Sequence, residues 1–193
     1  MKRSLGAKTI VGATSVWVVG TYDRAGKPNM MTAAWGGVCC SDPPCVAVSL
    51  RKATYSYGSI EEQKAFTVNI PSAEYVRETD YVGIASGRNK DKWRATGLTP
   101  VRGDLVNAPY VAEFPLVLEC KLLHVIELGL HTQFVGEILD VKAEESIFGE
   151  QGTLDIEKVD PFFYVPGSGV YRAIGRYLAK AHSIGAGLDK DTE

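Results

Sequence analysis

The 193-residue chain contains no apolar run approaching the roughly 20 residues that a membrane-spanning helix requires, so a membrane protein is not expected. It also lacks a dominant charge. With a formal net charge of −2 it has no excess of Lys and Arg to bind a phosphate backbone, and general nucleic-acid binding is not expected. Lys2 and Arg3 precede "TIVGATSVWVVG", but Lys8, Thr14 and Ser15 interrupt that apolar region and no small-x-small cleavage site follows. A cytoplasmic location is therefore expected. Cysteine is scarce and badly spaced for the common structural roles. Four residues, at 39, 40, 45 and 120, form no disulfide framework and none of the C-x2-C pairs of zinc or iron–sulfur sites. On a regular strand the neighbours Cys39 and Cys40 point to opposite faces and would not chelate one atom. They read as small buried or half-buried thiols, with room for one to face a ligand. Neither a GxGxxG nor a Walker pattern is present. No Ser–His or Cys–His nucleophile motif appears, so a hydrolase is a poor fit.

Apolar residues make up 45% of the chain and charged residues 23%, which suits one well-buried domain spanning 1–193. The first half reads as β-structure. "SVWVVGTYD" and "PNMMTAAWGGV" flank "DRAGK", a hairpin loop by its Gly and polar residues, and "PPCVAVSL" is a third short apolar strand. "ATYSYGSIEEQKAF" reads as a helix with Thr54 or Ser56 as its cap. "FTVNI" is another strand, and "SAEYVRETDYVGIASG" a second helix from Ser72 to Gly87. Residues 88–109 read as a long surface connection, a kind of segment that often carries function. "PLVLECKLLHVIEL" and "TQFVGEILDVKAE" form an antiparallel hairpin around "GLH", with His131 at its mouth. "FFYVPGSGVYRAIGRYLAKA" gives an aromatic strand, a glycine turn and a last helix. Many strands and few helices predict a mainly β protein, an antiparallel barrel with flanking helices.

Three stretches can carry chemistry. In "SLRKATYS", residues 49–56, a strand end delivers Arg51 and Lys52 to a helix start bearing Thr54 and Ser56. Free backbone N–H groups, hydroxyls and a guanidinium there would cradle a phosphate. A routinely capped helix beside a solvated basic pair uses the same residue types, and both readings fit. In "SGRNKDKW", Arg88, Lys90 and Lys92 either fold over an anion or form a solvated loop anchored by Trp93. His131 can hydrogen-bond a ligand edge or move protons near neutrality. A structural role fits it equally. Against these stands the patch Thr32, Ala33, Ala34, where small residues precede the bulky Trp35 in "NMMTAAWGGVCC". An ordinary core, a thiol or metal site, and a flat ligand lying against the strand would each account for it.

In their order along nearly the whole chain, "NMMTAAWGGVCCSDPPCVAVSLR", "SGRNKDKW" and "HTQFVGEI" resemble the flavin reductase-like, FMN-binding split-barrel family, particularly its flavoredoxin branch. The resemblance implies an antiparallel Greek-key split barrel that binds FMN. It implies that Thr32, Ala33 and Ala34 let the flavin approach the backbone, and that Trp35 packs near the isoalloxazine. Ser49, Leu50 and Arg51 would meet the ribityl chain and phosphate, with Thr54, Tyr55 and Ser56 completing the phosphate end. Lys92 and His131 would sit near the ring as the catalytic pair, and Tyr164 would form another wall. One departure stands out: Leu130 occupies the place where many reductases carry Asp before the histidine. That loss weakens the expectation of direct NAD(P)H use. The implied function is electron transfer through tightly bound FMN to a partner protein. The alternatives are an NAD(P)H-dependent flavin reductase and, more remotely, a thiol- or metal-binding protein. A homodimer with flavin near the subunit interface is implied as well.

Overall fold

The structure is a computed structural model, and residues 1–186 and 188 are described. Among them, no helix is long and apolar enough to cross a membrane. The strands are β1 (Thr14–Ser15), β2 (Trp17–Tyr22), β3 (Pro28–Ala33), β4 (Gly36–Ser41), β5 (Pro44–Arg51), β6 (Ala65–Ile70), β7 (Pro100–Arg102), β8 (Pro109–Val111), β9 (Leu116–Leu128), β10 (His131–Ala143), β11 (Phe162–Val165) and β12 (Val170–Ala173). The helices are α1 (Tyr55–Gln63), α2 (Val76–Ile84), α3 (Lys92–Thr96) and α4 (Ile156–Val159). A seven-stranded sheet in the order β3-β2-β6-β9-β10-β5-β4, antiparallel at every pairing, carries the fold, and β1, β11 and β12 form a smaller sheet beside it.

The Val-rich strands of the first half explain the core. Val19, Val46, Val48, Phe66, Val68 and Phe134 are all fully enclosed in one cluster. A second cluster packs α2 and α3 onto β2 and β3 through Val18, Met30, Val82, Trp93 and Phe114. Gly136 is where the long β9–β10 hairpin packs most closely on the core. The register shifts between Val135 and Gly136, and a Cβ built on Gly136 would lie 2.6 Å from Phe66 Cζ. Gly136→Ala is therefore expected to cost about 1–3 kcal/mol by overpacking. Urea unfolding checks this, and an unchanged midpoint would show that the Phe66 ring can yield.

Four expectations differ from the fold. "PNMMTAAWGGV" is two strands, because the chain breaks at Ala34 and Trp35 between β3 and β4. The long connection is partly ordered. It contains α3, where Arg94 N–H donates to Asp91 Oδ1 (3.1 Å) as an N-terminal cap, and the β7–β8 hairpin. The last helix does not form: residues 170–173 add β12 to β11, and 174–180 are irregular. Tyr177 and Leu178 are 75% and 81% exposed, so no packed face is there to stabilise a short helix. The reading of Cys39 and Cys40 fails too: β4 bulges between Val38 and Cys40, so strict alternation does not hold, and both thiols are exposed rather than buried or half-buried.

Candidate functional site

The break between β3 and β4 opens a cavity of about 560 Å³, within the usual range for a cofactor or small-molecule site. One wall is the small-residue backbone of Thr32, Ala33 and Ala34, and the Trp35 and Tyr164 rings, tilted with centroids 6.3 Å apart, form another. Ser49 N–H donates to the Trp35 carbonyl (2.8 Å), which ties the break to β5. Ser49 and Arg51 lie two residues apart on β5 and so share a face. His131, the first residue of β10, is the direct cross-strand partner of Arg51. Strand register thus places a hydroxyl, a guanidinium and an imidazole on one side of the cavity.

The phosphate question turns on the start of α1. Thr54 occupies the cap position but makes no capping hydrogen bond, and its hydroxyl donates instead to the Arg51 carbonyl (2.9 Å). The first-turn N–H groups are left for another acceptor, on the positive end of the helix dipole. Arg51 is exposed, and its guanidinium has no hydrogen-bond or ion-pair partner among the described residues. Its neighbours differ: Lys52 pairs with Glu127 (2.6 Å), and Arg88 donates to the Ala53 carbonyl (2.8 Å). An unpartnered guanidinium beside an uncapped helix start, next to small-residue backbone and aromatic walls, fits a flavin mononucleotide: the phosphate at one end, the ring at the other.

Ten of the thirteen residues expected at the cofactor line this cavity, the exceptions being Tyr55, Ser56 and Lys92. Leu50 has only its backbone to offer there, since its side chain, 2% exposed, belongs to the core. Tyr55, Ser56 and Lys92 line an adjoining cleft that shares Met31, Thr54 and Gly83 with the main cavity. Ser56 is enclosed, and its hydroxyl accepts from Asn29 Nδ2 (2.8 Å). Tyr55 donates its phenol to Asp23 (2.6 Å), and that bond, together with burial, raises its pKa.

Lys92 is 4% exposed, and its ammonium donates to the carbonyls of Met30 (2.8 Å) on β3 and Val82 (2.7 Å) on α2. It is thus a strut holding α2 against the strand that carries the small-residue patch. Burial lowers its pKa from 10.5 to about 8. Because the folded value is the lower one, the unfolded chain holds the extra proton between about pH 8 and 10.5, and this group adds stability as pH rises through that window. Relative to wild type, Lys92→Met should remove a pH-dependent gain of up to about 3 kcal/mol. Chemical unfolding at pH 7.5 and 10 measures the gain, and parallel pH profiles for the two proteins would show that Lys92 keeps an ordinary pKa.

Met31 and Gly83 line the cavity without having been expected there. A Cβ on Gly83 would lie 3.1 Å from Thr32 Cβ, so α2 approaches β3 closely at this point. The sequence signal was available: a glycine inside a helical pattern often marks a packing or ligand contact. A second cavity of about 390 Å³ adjoins the first at Ala34, Trp35, Ser49 and His131, roofed by Thr9, Val11 and Thr14. Leu130, next to His131, is 65% exposed at the hairpin tip and offers no group to orient the imidazole.

Residues 12–168 match the flavin reductase like domain, and the chain belongs to that family. It is a flavin-binding redox protein with the split-barrel architecture. Its structure is similar to flavoredoxin of Desulfovibrio vulgaris (Miyazaki F), with 58% identity, coverage of 96% of this chain and 100% of that one, and a TM-score of 0.92. It is also similar to flavoredoxin from Methanosarcina acetivorans, at 31% identity, 97% and 98% coverage and a TM-score of 0.87. An uncharacterized protein of Archaeoglobus fulgidus is 35% identical over 115 residues, 60% of this chain, and the match spans 65% of that relative, just under two thirds.

Proposed function

We propose that the chain is an FMN-dependent electron carrier that passes electrons from its bound flavin to a partner protein. The observation that carries the cofactor assignment is the unpartnered Arg51 beside the uncapped start of α1, at one end of a cavity walled by Trp35 and Tyr164. FMN, when bound, supplies the redox chemistry, and the protein supplies binding, orientation and electrostatics. Arg51, Ser49, Thr54 and the first turn of α1 hold the phosphate end. Thr32, Ala33 and Ala34 permit close backbone approach, Trp35 and Tyr164 shield the ring, and His131 hydrogen-bonds at its edge. Tyr55 and Ser56 set the shape of the phosphate end from the adjoining cleft. Lys92 acts there as a buried cation that favours extra electron density on the flavin, so Lys92→Met should lower the midpoint potential.

The likeness to flavoredoxin over essentially the whole chain supports the carrier reading, as does Leu130 in place of a carboxylate beside His131. A second reading, an NAD(P)H-dependent flavin reductase, draws support from the cavity of about 390 Å³ beside Trp35 and His131, which has room for a nicotinamide. Anaerobic addition of NAD(P)H to the desalted, flavin-loaded protein separates the two. A flavin band that stays oxidised is expected, and prompt bleaching would establish the reductase. The chain pairs with a second copy of itself in this reading. Val125, Ile126 and Leu128 on the projecting arm of β9 are 42–56% exposed and would be covered in a homodimer. Sedimentation equilibrium should return twice the chain mass, and a monomer would remove the dimer from the account.

A further inference from the structure

We infer that Cys40 and Cys45 form a reversible cross-strand disulfide, making the β4–β5 hairpin a thiol-modification site separate from the flavin cavity. The two residues are direct register partners, one step in from Ser41 and Pro44 at the hairpin's closed end. Directly opposed residues have Cα atoms about 4.5–5.5 Å apart, inside the range of roughly 4.4–6.8 Å that a disulfide bridges. The bulge after Val38 leaves Cys39 unpaired, so two cysteines on β4 stand against the single Cys45 on β5. The thiol of Cys45 is raised first by its burial and then by the neighbouring Cys40 and Cys39, which places all three in one electrostatic neighbourhood. All three are free thiols. Among the described residues, no group of three or more His, Cys, Asp and Glu side chains has the arrangement to hold a metal ion.

Exposure divides the roles. Cys40 is exposed on the edge strand, where a soluble oxidant can reach it, and Cys45 is only 3% exposed beneath. The co-reactant is a low-mass disulfide. The Cys40 thiolate attacks one of its sulfurs, a mixed disulfide forms, and the first small thiol leaves. Cys45 then gives up its proton and attacks the Cys40 sulfur, which closes the Cys40–Cys45 bond and expels the second small thiol. The protein loses two electrons and two protons, and the small disulfide gains them. Gly36, at the cavity end of β4, is four residues from Cys40, roughly 13 Å along the strand. The cross-link therefore leaves the flavin contacts intact.

The test exposes the FMN-loaded protein to glutathione disulfide and follows free thiols, intact mass and disulfide-mapped peptides. A loss of two hydrogens, a Cys40–Cys45 linked peptide, reversal by dithiothreitol and an unchanged flavin band are expected. Cys40→Ser and Cys45→Ala should each abolish the linkage, and Cys39→Ser should keep it. If Cys45→Ala fails to fold, Cys40→Ser, at an exposed position, carries the same test. A lasting glutathione adduct, a chain-to-chain link through Cys39, or no reaction would overturn the proposal. None of these outcomes depends on whether FMN is the cofactor, which the flavin band reports separately.

Discussion

Glu119→Ala is expected to destabilise the fold by about 3–5 kcal/mol, the largest effect of any substitution considered. Glu119 is fully enclosed on β9 and accepts from three consecutive backbone N–H groups, those of Asp104 (3.2 Å), Leu105 (2.7 Å) and Val106 (3.2 Å). Its other close partner is Lys142 Nζ at 3.1 Å, itself bound to Asp104 and Asp140. Those carboxylates hold the Lys142 ammonium above its ordinary pKa. A buried carboxylate with this many donors anchors the loop between β7 and β8. Removing it leaves the enclosed Val106 amide and the Lys142 ammonium short of an acceptor, which costs more than the bonds themselves contributed. Denaturant unfolding of Glu119→Ala and Glu119→Gln checks the assignment. Gln keeps an acceptor and should recover part of the loss, whereas equal losses would show that the charge alone matters.

Arg51→Ala is expected to weaken FMN binding by about ten- to a hundredfold, corresponding to a lost charge-assisted bond of about 1.5–3 kcal/mol. Arg51 differs from the two cations nearest to it in the fold. Lys52 is engaged by Glu127 and Arg88 by a backbone carbonyl, whereas Arg51 meets no such partner among the described residues and lines the cavity. Arg51→Lys should recover only part of the affinity, because an ammonium cannot reproduce the two-pronged geometry of a guanidinium on phosphate. Fluorescence titration with FMN and with riboflavin gives the check. The loss should appear for FMN and vanish for riboflavin, which has no phosphate. An equal loss for both would move Arg51 from the phosphate to the ring or the sugar chain.

The sheet was legible in the sequence because its strands announce themselves locally. "SVWVVGTY" and "CVAVSL" are β-branched runs bounded by turn residues, and the observed strands follow them closely. The lining of the candidate site was legible for a different reason: its residues cluster at strand ends, so Ser49, Arg51 and Thr54 come as one short segment. What stayed hidden depends on distant backbone. Lys92 reads as one more cation in "RNKDKW", and only the fold brings the Met30 and Val82 carbonyls to its ammonium. Glu119 interrupts "LVLECKLL" as an exposed charge would, and its three amide donors come from a loop some fifteen residues earlier. The absent last helix has a simpler cause. "YRAIGRYLAKA" has helical residues, but its start pairs with β11 and the Tyr177 and Leu178 side chains beyond are exposed.

The central claim is that FMN binds in the cavity between Trp35 and Arg51, and a titration of flavin-stripped protein with FMN tests it most directly. One FMN per chain, with quenching of the tryptophan emission that is lost in Trp35→Phe, is the predicted result. Failure of FMN to bind at micromolar protein, or binding whose stoichiometry, quenching and affinity ignore both Trp35 and Arg51, would contradict the account.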